Sequence, residues 1–443
     1  MRRASRRASF VRSKGNKKKS NDRMGREMDT RKTGSEGEER VTLERAVQLL
    51  LDHCGIIAET ERCSVLDCTG RILADDVYAK GDQPPFDRSP VDGYACRSCD
   101  ITAASGENPV YLEVVEEIDA GSWPTRAVGS GQAARIMTGA PIPAGADCCI
   151  YQEKTDYGET RVAVFQGCPR HGNYCFHGED IQAGTAVLKR GTRLTYVEAG
   201  ILAGLGLCEV TVYRKIRAAV LASGDELTEP GQPLQPGKIY DSNLYFLAVR
   251  LRELGIEIPV CRRVSDSEAE MAEALGDACQ KADLVITTGG VSVGKRDIMH
   301  QALAMAGARR LFWKILMKPG MPTIGSVLNG TPVISLSGNP FGALADFELL
   351  CRPAFESMTG NSFYAPRMRK AILSRGFLKS SPSRRFLRGR FENGEVWIPE
   401  VKKHASGILS SMAGCNCLVD ISAGTERIEA GESVTIFDLS LDR

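Results

Sequence analysis

Three short polar loops in the 443-residue chain carry the residue types that hold an anion: Ser223-Gly224-Asp225-Glu226, Thr288-Gly289-Gly290 and Ser337-Gly338-Asn339-Pro340. Each follows an apolar run and precedes a segment of helical periodicity. A glycine loop in that place turns backbone N–H groups and a helix N-terminus toward a ligand, which is anion-binding chemistry. One such loop alone is usually only a turn; three in phase point to one pocket. Thiolate–metal chemistry is not indicated. The fifteen cysteines are scattered, with Cys96/Cys99, Cys415/Cys417 and the adjacent Cys148 and Cys149 as the close pairs, and there are five histidines. A structural zinc site needs four ligands at matched spacings, so the cysteines read as reduced, small apolar residues of a cytosolic protein.

The elements that must position these loops alternate between strand and helix. Ala218 to Ser223 is an apolar run, and Leu244, Leu247, Ala248 and Leu251 then share one helical face. Ile258 to Val264 reads as a strand, followed by a helix with Met271, Ala274, Leu275 and Ala278 on one side. Asp283 to Thr287 and Pro332 to Leu336 are further strands, each followed by a helix, over Ile298 to Ala306 and from Pro340 to about Ser357. Fully apolar strands alternating with helices predict a parallel sheet covered on both faces. The carboxyl ends of parallel strands lie along one edge, so all three glycine loops are expected on one rim.

Around this α/β unit the chain divides further. Thr42 opens a helix with Leu43, Ala46, Val47 and Leu50 on one face. Residues 83–167 read as a β-rich inserted domain, flanked by 41–82 and 168–213 as an N-terminal helical-β unit with a helix near Val197 to Leu205. Residues 214–360 form the α/β domain. Residues 361–443 have short strand-like stretches (Phe386–Phe391, Val396–Val401, Leu418–Ile421 and Val434–Phe437) and predict a small β-barrel. Residues 1–40 hold fourteen Lys or Arg, six Asp or Glu and one aromatic residue. Such a stretch cannot offset its chain entropy by burial and is expected to be disordered. The rest of the chain is mildly acidic, with 43 basic and 49 acidic residues, which excludes a general nucleic-acid surface. No apolar run approaches the roughly 18 residues of a membrane span.

The motifs together resemble the molybdopterin molybdenumtransferases, of the MoeA and gephyrin E-domain type. The resemblance rests on Pro84-Pro-Phe-Asp-Arg-Ser-Pro-Val-Asp-Gly-Tyr-Ala95, Arg135-Ile-Met-Thr-Gly-Ala-Pro141, Gly178-Glu-Asp-Ile181, Ser223-Gly-Asp-Glu-Leu227 and Ile239-Tyr-Asp-Ser-Asn243. Thr288-Gly-Gly-Val-Ser-Val-Gly294 up to Asp297, Lys318-Pro-Gly320 and Ser337-Gly-Asn-Pro340 continue it in family order. It implies a molybdopterin-binding-like α/β fold and an elongated, cytoplasmic homodimer. The implied reaction inserts molybdate into adenylylated molybdopterin, with Mg²⁺, and releases AMP. The molybdopterin adenylyltransferase is a candidate partner.

The resemblance implies roles for particular residues. Asp87, Glu226, Asp297, Lys314 and Lys318 match catalytic positions. Thr138, Asp180, Ser223, Gly224, Asp225, Gly289, Gly290, Gly338, Asn339, Pro340, Arg388 and Ser406 match substrate-binding positions. Mg²⁺ prefers oxygen ligands shared with phosphates, and Glu226, Asp266 and Asp297 are its candidate ligands; Asp266 also suits a helix start. Cys96, Cys99 and His404 gain nothing from the resemblance and read as structural. Three departures remove donors near the expected anion sites. Met321 replaces the second lysine of Lys-Pro-Gly-Lys-Pro, Ser337 and Gly342 alter Leu-Pro-Gly-Asn-Pro-Val-Ser, and Tyr174-Cys-Phe-His177 replaces arginines. Two other functions share part of these motifs. An adenylyltransferase of the sister type resembles the sheet domain alone and would consume ATP. A non-catalytic gephyrin-like scaffold would bind a partner equally well after Glu226→Ala.

Overall fold

A computed structural model describes residues 37–291, 298–400 and 404–441. Most of the extension expected to be disordered, and Asp297, lie outside the described residues. The centre of the fold is a six-stranded sheet. Cys261–Val264, Ala218–Ser223, Leu284–Thr288 and Thr331–Leu336 lie side by side in parallel, as the alternation predicts. Two strands absent from the sequence reading, Ile324–Leu328 and Arg309–Trp313, extend the sheet antiparallel to their neighbours and make it mixed. Successive side chains point to opposite faces. Accordingly Ala218, Val220, Ile286 and Ile334 join one core with Leu247 and Leu251, while Ala219, Leu221, Val285 and Val333 join another with Met271, Leu275 and Met299.

The helices that cover the sheet have local causes. Glu268–Lys281 starts at Ser267, whose hydroxyl accepts the Glu270 N–H, and it carries Glu268 and Glu270 in its first turn and Lys281 in its last. These charges suit the helix dipole. Met271, Ala274, Leu275 and Ala278 are its buried stripe. The stretch from Pro340 to Thr359 contains a π-helical turn at Phe347–Cys351. Pro353 follows it, and because it has no N–H to return to the preceding turn, regular α pairing breaks there.

The boundary of the extension is corrected at its last residues. Gly37–Arg40 belongs to the described chain. The Glu38 N–H donates to Leu311 O at 3.0 Å, and the Trp313 N–H donates back to Glu38 O at 3.0 Å. Val41 continues the pairing through Lys314 O and the Leu316 N–H. Glu38 also pairs with Arg45 at 2.6 Å. An edge strand offers unpaired main-chain groups to any extended segment whatever its composition, which is why charge content assigns these residues wrongly. Gly37 is required by proximity, since a Cβ there would lie 2.4 Å from Arg310 O. A chain starting at Gly37 is therefore expected to melt like the full chain. One starting at Val41 should melt about 2–4 °C lower, from the loss of about 1–3 kcal/mol of hydrogen bonding. Scanning calorimetry checks this, and equal Tm values for the two would contradict the edge pairing.

The remaining units are β-rich. Gly93–Cys96 sits between Cys148–Tyr151 and Gln132–Ile136 in a five-stranded sheet completed by Val110–Ile118 and Arg161–Val164. Near the C-terminus, Arg384–Glu392, Glu395–Trp397, Arg367–Leu373, Ser433–Asp438 and Cys417–Ile421 close on themselves as a five-stranded barrel, because Arg384–Glu392 also pairs with Cys417–Ile421. The helix Tyr196–Gly204, close to its expected place, begins with a capping box between Thr195 and Glu198. Among the described residues no helix is long and apolar enough to cross a membrane.

Candidate active site

The strand ends bring the three glycine loops together. Gly289 has φ +92, and a Cβ there would lie 2.2 Å from Ser223 O. Gly290 has φ +64 and borders the Ser223 hydroxyl. A Cβ on Gly338 would lie 3.5 Å from the Gly289 Cα, so the loops touch backbone to backbone. The sequence reading missed the residue that ties them. Asn243 starts the helix Asn243–Glu253 and is buried. Its Nδ2 donates to Thr288 Oγ1 at 2.9 Å and to Gly338 O at 2.8 Å. Asn243 closes the Ile239–Asn243 motif, and that polar residue at a helix start was the available signal.

Between the loops is a cavity of about 910 Å³. Ser223, Gly224, Asp225, Glu226, Asp266, Gly289, Gly290, Gly338, Asn339 and Pro340 line it, with Lys238, Pro322 and Gly407. A second cavity of about 610 Å³ shares Gly224, Asp225 and Lys238, so the space suits a substrate of nucleotide size. Asp225 and Asp266 cap each other's loops: the Asp225 N–H donates to Asp266 Oδ2 at 3.0 Å, and the Asp266 N–H to Asp225 Oδ1 at 3.3 Å. Lys238 Nζ donates to Asp225 O and fastens the same loop. Ser267, not Asp266, caps the helix that follows.

Mg²⁺ commonly takes one or two carboxylates and completes its shell with phosphate oxygens and water. Among the described residues no group of three or more His, Cys, Asp or Glu side chains is arranged to hold a metal ion. Glu226 and Asp266 nevertheless both line the cavity, and two rim carboxylates fit a cation shared with a substrate phosphate.

The cationic candidates flank this cavity rather than line it. Lys318 is exposed. Lys314 has φ +69, and its Nζ lies 3.6 Å over the Trp313 ring. The loop that Lys318 opens borders the cavity through Pro322. Met321 has an exposed side chain, while its carbonyl accepts the N–H groups of Ile315 and Thr323, both at 2.9 Å. Arg388 is buried, and its guanidinium donates to Ile408 O at 2.8 Å, Ala405 O at 2.9 Å and Ser411 Oγ at 2.6 Å. It also stacks on Phe341 at 3.8 Å. These contacts make Arg388 a support for the loop that carries Gly407 into the cavity. Ser406 contributes its carbonyl, which accepts the Phe341 N–H at 3.0 Å.

Asp87, Thr138 and Asp180 gather elsewhere, where the segments around residues 83–89, 137–142 and 174–181 adjoin. Asp87 accepts the Tyr174 hydroxyl at 2.5 Å and the His177 N–H at 2.8 Å. Burial and the Asp87 carboxylate push the Tyr174 phenol up. Thr138 donates from N and Oγ1 to Asp92 Oδ1 at 2.7 and 2.8 Å, and the Asp180 N–H donates to Gln83 O at 3.0 Å. None of the three lines the glycine-loop cavity. Cys96 is buried across the sheet from Cys148, and His404 Nε2 lies 2.7 Å from Pro399 O.

Three family models match the chain in succession. Residues 41–206 match the MoeA N-terminal region (domain I and II), 219–357 the "Probable molybdopterin binding domain", and 370–439 the MoeA C-terminal region (domain IV). A molybdopterin molybdenumtransferase from Bacillus subtilis is 36% identical over 384 residues, covering 85% of this chain and 89% of the relative. Molybdopterin molybdenumtransferase 2 from Mycobacterium tuberculosis is 35% identical over 408 residues, 89% of this chain and 100% of the relative. The crystal structure of the molybdopterin biosynthesis MoeA protein from Pyrococcus horikoshii superposes with a TM-score of 0.75 at 31% identity, covering 90% of this chain and 100% of that one. With this extent of likeness on both sides of the glycine-loop cavity, the chain belongs to the molybdopterin molybdenumtransferase family.

Proposed function

We propose that this protein is a transferase of molybdenum cofactor biosynthesis that inserts molybdate into adenylylated molybdopterin and releases AMP, acting with Mg²⁺ as a cytoplasmic homodimer. The observation that carries the reading is the convergence of three glycine loops and the carboxylates of Glu226 and Asp266 on one cavity. The backbone N–H groups of the loops would receive the substrate's phosphate oxygens, and the start of the helix after Pro340 adds to that field. Lys314 and Lys318 would supply positive charge to the oxyanion, with charge-assisted hydrogen bonds. Glu226 and Asp266 would hold Mg²⁺; when bound it would neutralise phosphate charge and ease the departure of AMP. The scattered, mostly unpaired spacing of the fifteen cysteines accords with a reducing compartment.

Asp87, Thr138 and Asp180 would complete the site from the second subunit, since they do not line the cavity within their own chain. The matches on both flanks of the sheet domain separate this reading from an adenylyltransferase built on that domain alone. The test is to supply adenylylated molybdopterin with and without molybdate. Release of AMP that depends on molybdate is expected. Consumption of ATP to form adenylylated molybdopterin would contradict the reading.

A further inference from the structure

Beneath the two loops that border the cavity lies a carboxyl group that the proposed reaction does not use. Asp346 ends the helix Pro340–Asp346 and is fully buried. Its Oδ2 accepts the Ser337 N–H at 3.3 Å. Thr323 Oγ1 lies 2.7 Å from that same Oδ2 and 2.7 Å from Gly320 O. Oδ1 has no hydrogen-bond partner among the described residues. It lies against Gly320, where a Cβ would come within 1.8 Å of it. Gly320 has φ +91, so both its backbone shape and the oxygen beside it exclude a side chain.

The contacts count protons. The Thr323 hydroxyl carries one hydrogen but has two acceptor oxygens at equal distance. If Asp346 were ionised, one of those contacts would be a repulsion between lone pairs. A neutral Asp346 satisfies both, because its O–H donates to Thr323 Oγ1, which then donates to Gly320 O. Burial independently pushes the Asp346 carboxyl up to about 8. The titratable groups on the surrounding elements are Lys318 on the Gly320 loop, Glu348 and Cys351 on the helix's own continuation, and Arg388 stacked on Phe341. Glu348 is engaged by Arg250 at 2.7 Å and Arg352 at 3.1 Å, and burial, with the Glu348 carboxylate, pushes the Cys351 thiol up. The direct contacts of the carboxyl are the neutral Thr323 and Ser337.

We propose that Asp346 is a positioning residue for oxyanion capture: as a neutral acid it clamps the Lys318–Thr323 turn to the Ser337–Pro340 loop, and its ionisation releases the clamp. The proposal rests on the reading that the cavity between these loops takes the substrate oxyanion. Ionisation would remove the bond that fixes Gly320 O through Thr323, and it would set a negative charge directly under loops that must attract an anion.

Asp346→Asn tests this, because the amide Nδ2 can donate to Thr323 at every pH. The KM for molybdate is measured from pH 7 to 9.5 in both proteins, alongside kcat. In the wild type KM should climb above about pH 8, by up to tenfold per pH unit, with kcat nearly constant. In Asp346→Asn it should stay level. A level wild-type profile, or a variant that follows the wild-type rise, overturns the proposal.

The second arm needs no substrate. In the unfolded chain Asp346 loses its proton near 4, whereas in the folded protein it keeps it to about 8. Between these values a rising pH favours the unfolded state, so the wild type should lose stability relative to Asp346→Asn from about pH 4 to 8, with a constant gap beyond. A gap that does not change with pH overturns the proposal. A wild type that releases no AMP would instead contradict the proposed function, and the unfolding comparison would still decide whether Asp346 is protonated.

Discussion

Mixed dimers with Asp87→Ala in one subunit and Glu226→Ala in the other are expected to regain up to half of the wild-type activity, while either variant alone retains almost none. Glu226 lines the glycine-loop cavity. Asp87 is fixed by the Tyr174 hydroxyl and the His177 N–H on the irregular β segment. Removing a group that contacts developing charge typically lowers turnover by about 10²–10³, so each parent homodimer should be nearly silent. In a twofold dimer each site would draw Asp87 from one subunit and Glu226 from the other. A mixed dimer then holds one site with both lesions and one with neither. Tm values within a few degrees of wild type would confirm that both parents fold. If purified mixed dimers are as inactive as the parents, Asp87 acts within its own subunit and the shared-site arrangement is wrong.

Gly289→Ala is expected to lower both stability and activity sharply. The residue has φ +92, and the added Cβ would lie 2.2 Å from Ser223 O. A left-handed alanine costs about 1–3 kcal/mol, and overpacking against backbone costs about 1–3 kcal/mol more. The loops would have to part, which removes the N–H array along with the stability. Gly330→Ala separates the two effects. Gly330 has φ +87 in the hairpin turn but nothing within 4 Å of its Cβ position. It should lose only the conformational part and remain active. Denaturant unfolding of both variants, with an activity assay, is the check. A Gly289→Ala protein as stable and active as Gly330→Ala would contradict the loop contact.

The parallel core was legible because its strands are buried on both faces and therefore apolar throughout, as in Ala218–Ser223 and Leu284–Thr288. Several of the strands missed have a broken pattern. Arg309–Trp313 begins with two arginines, and Ile324–Leu328 contains Gly325, over which the Phe312 ring lies so closely that a Cβ would be 2.2 Å away. Arg367–Leu373 is exposed over its first four residues and shows no core face there. That the three glycine loops share one rim followed from strand direction, while the roles of the residues in them came from the family resemblance; ten of the named residues line the cavity. What the sequence did not show was which polar side chains face inward. Arg388 matches a family position, yet its donors are taken up by carbonyls of its own chain. Asp346 stands in an otherwise apolar helix start, Pro340–Ala345. A lone carboxylate in such a run was the available sign of a buried polar contact.

The central claim is molybdenum insertion coupled to loss of AMP, and the direct measurement is their stoichiometry. The purified protein would be given adenylylated molybdopterin, Mg²⁺ and molybdate, and both released AMP and pterin-bound molybdenum would be counted over a single turnover. One AMP for each molybdenum retained, with neither formed by Glu226→Ala, is the predicted result. AMP released without molybdenum in the pterin, or molybdenum bound with the adenylyl group still attached, would contradict it.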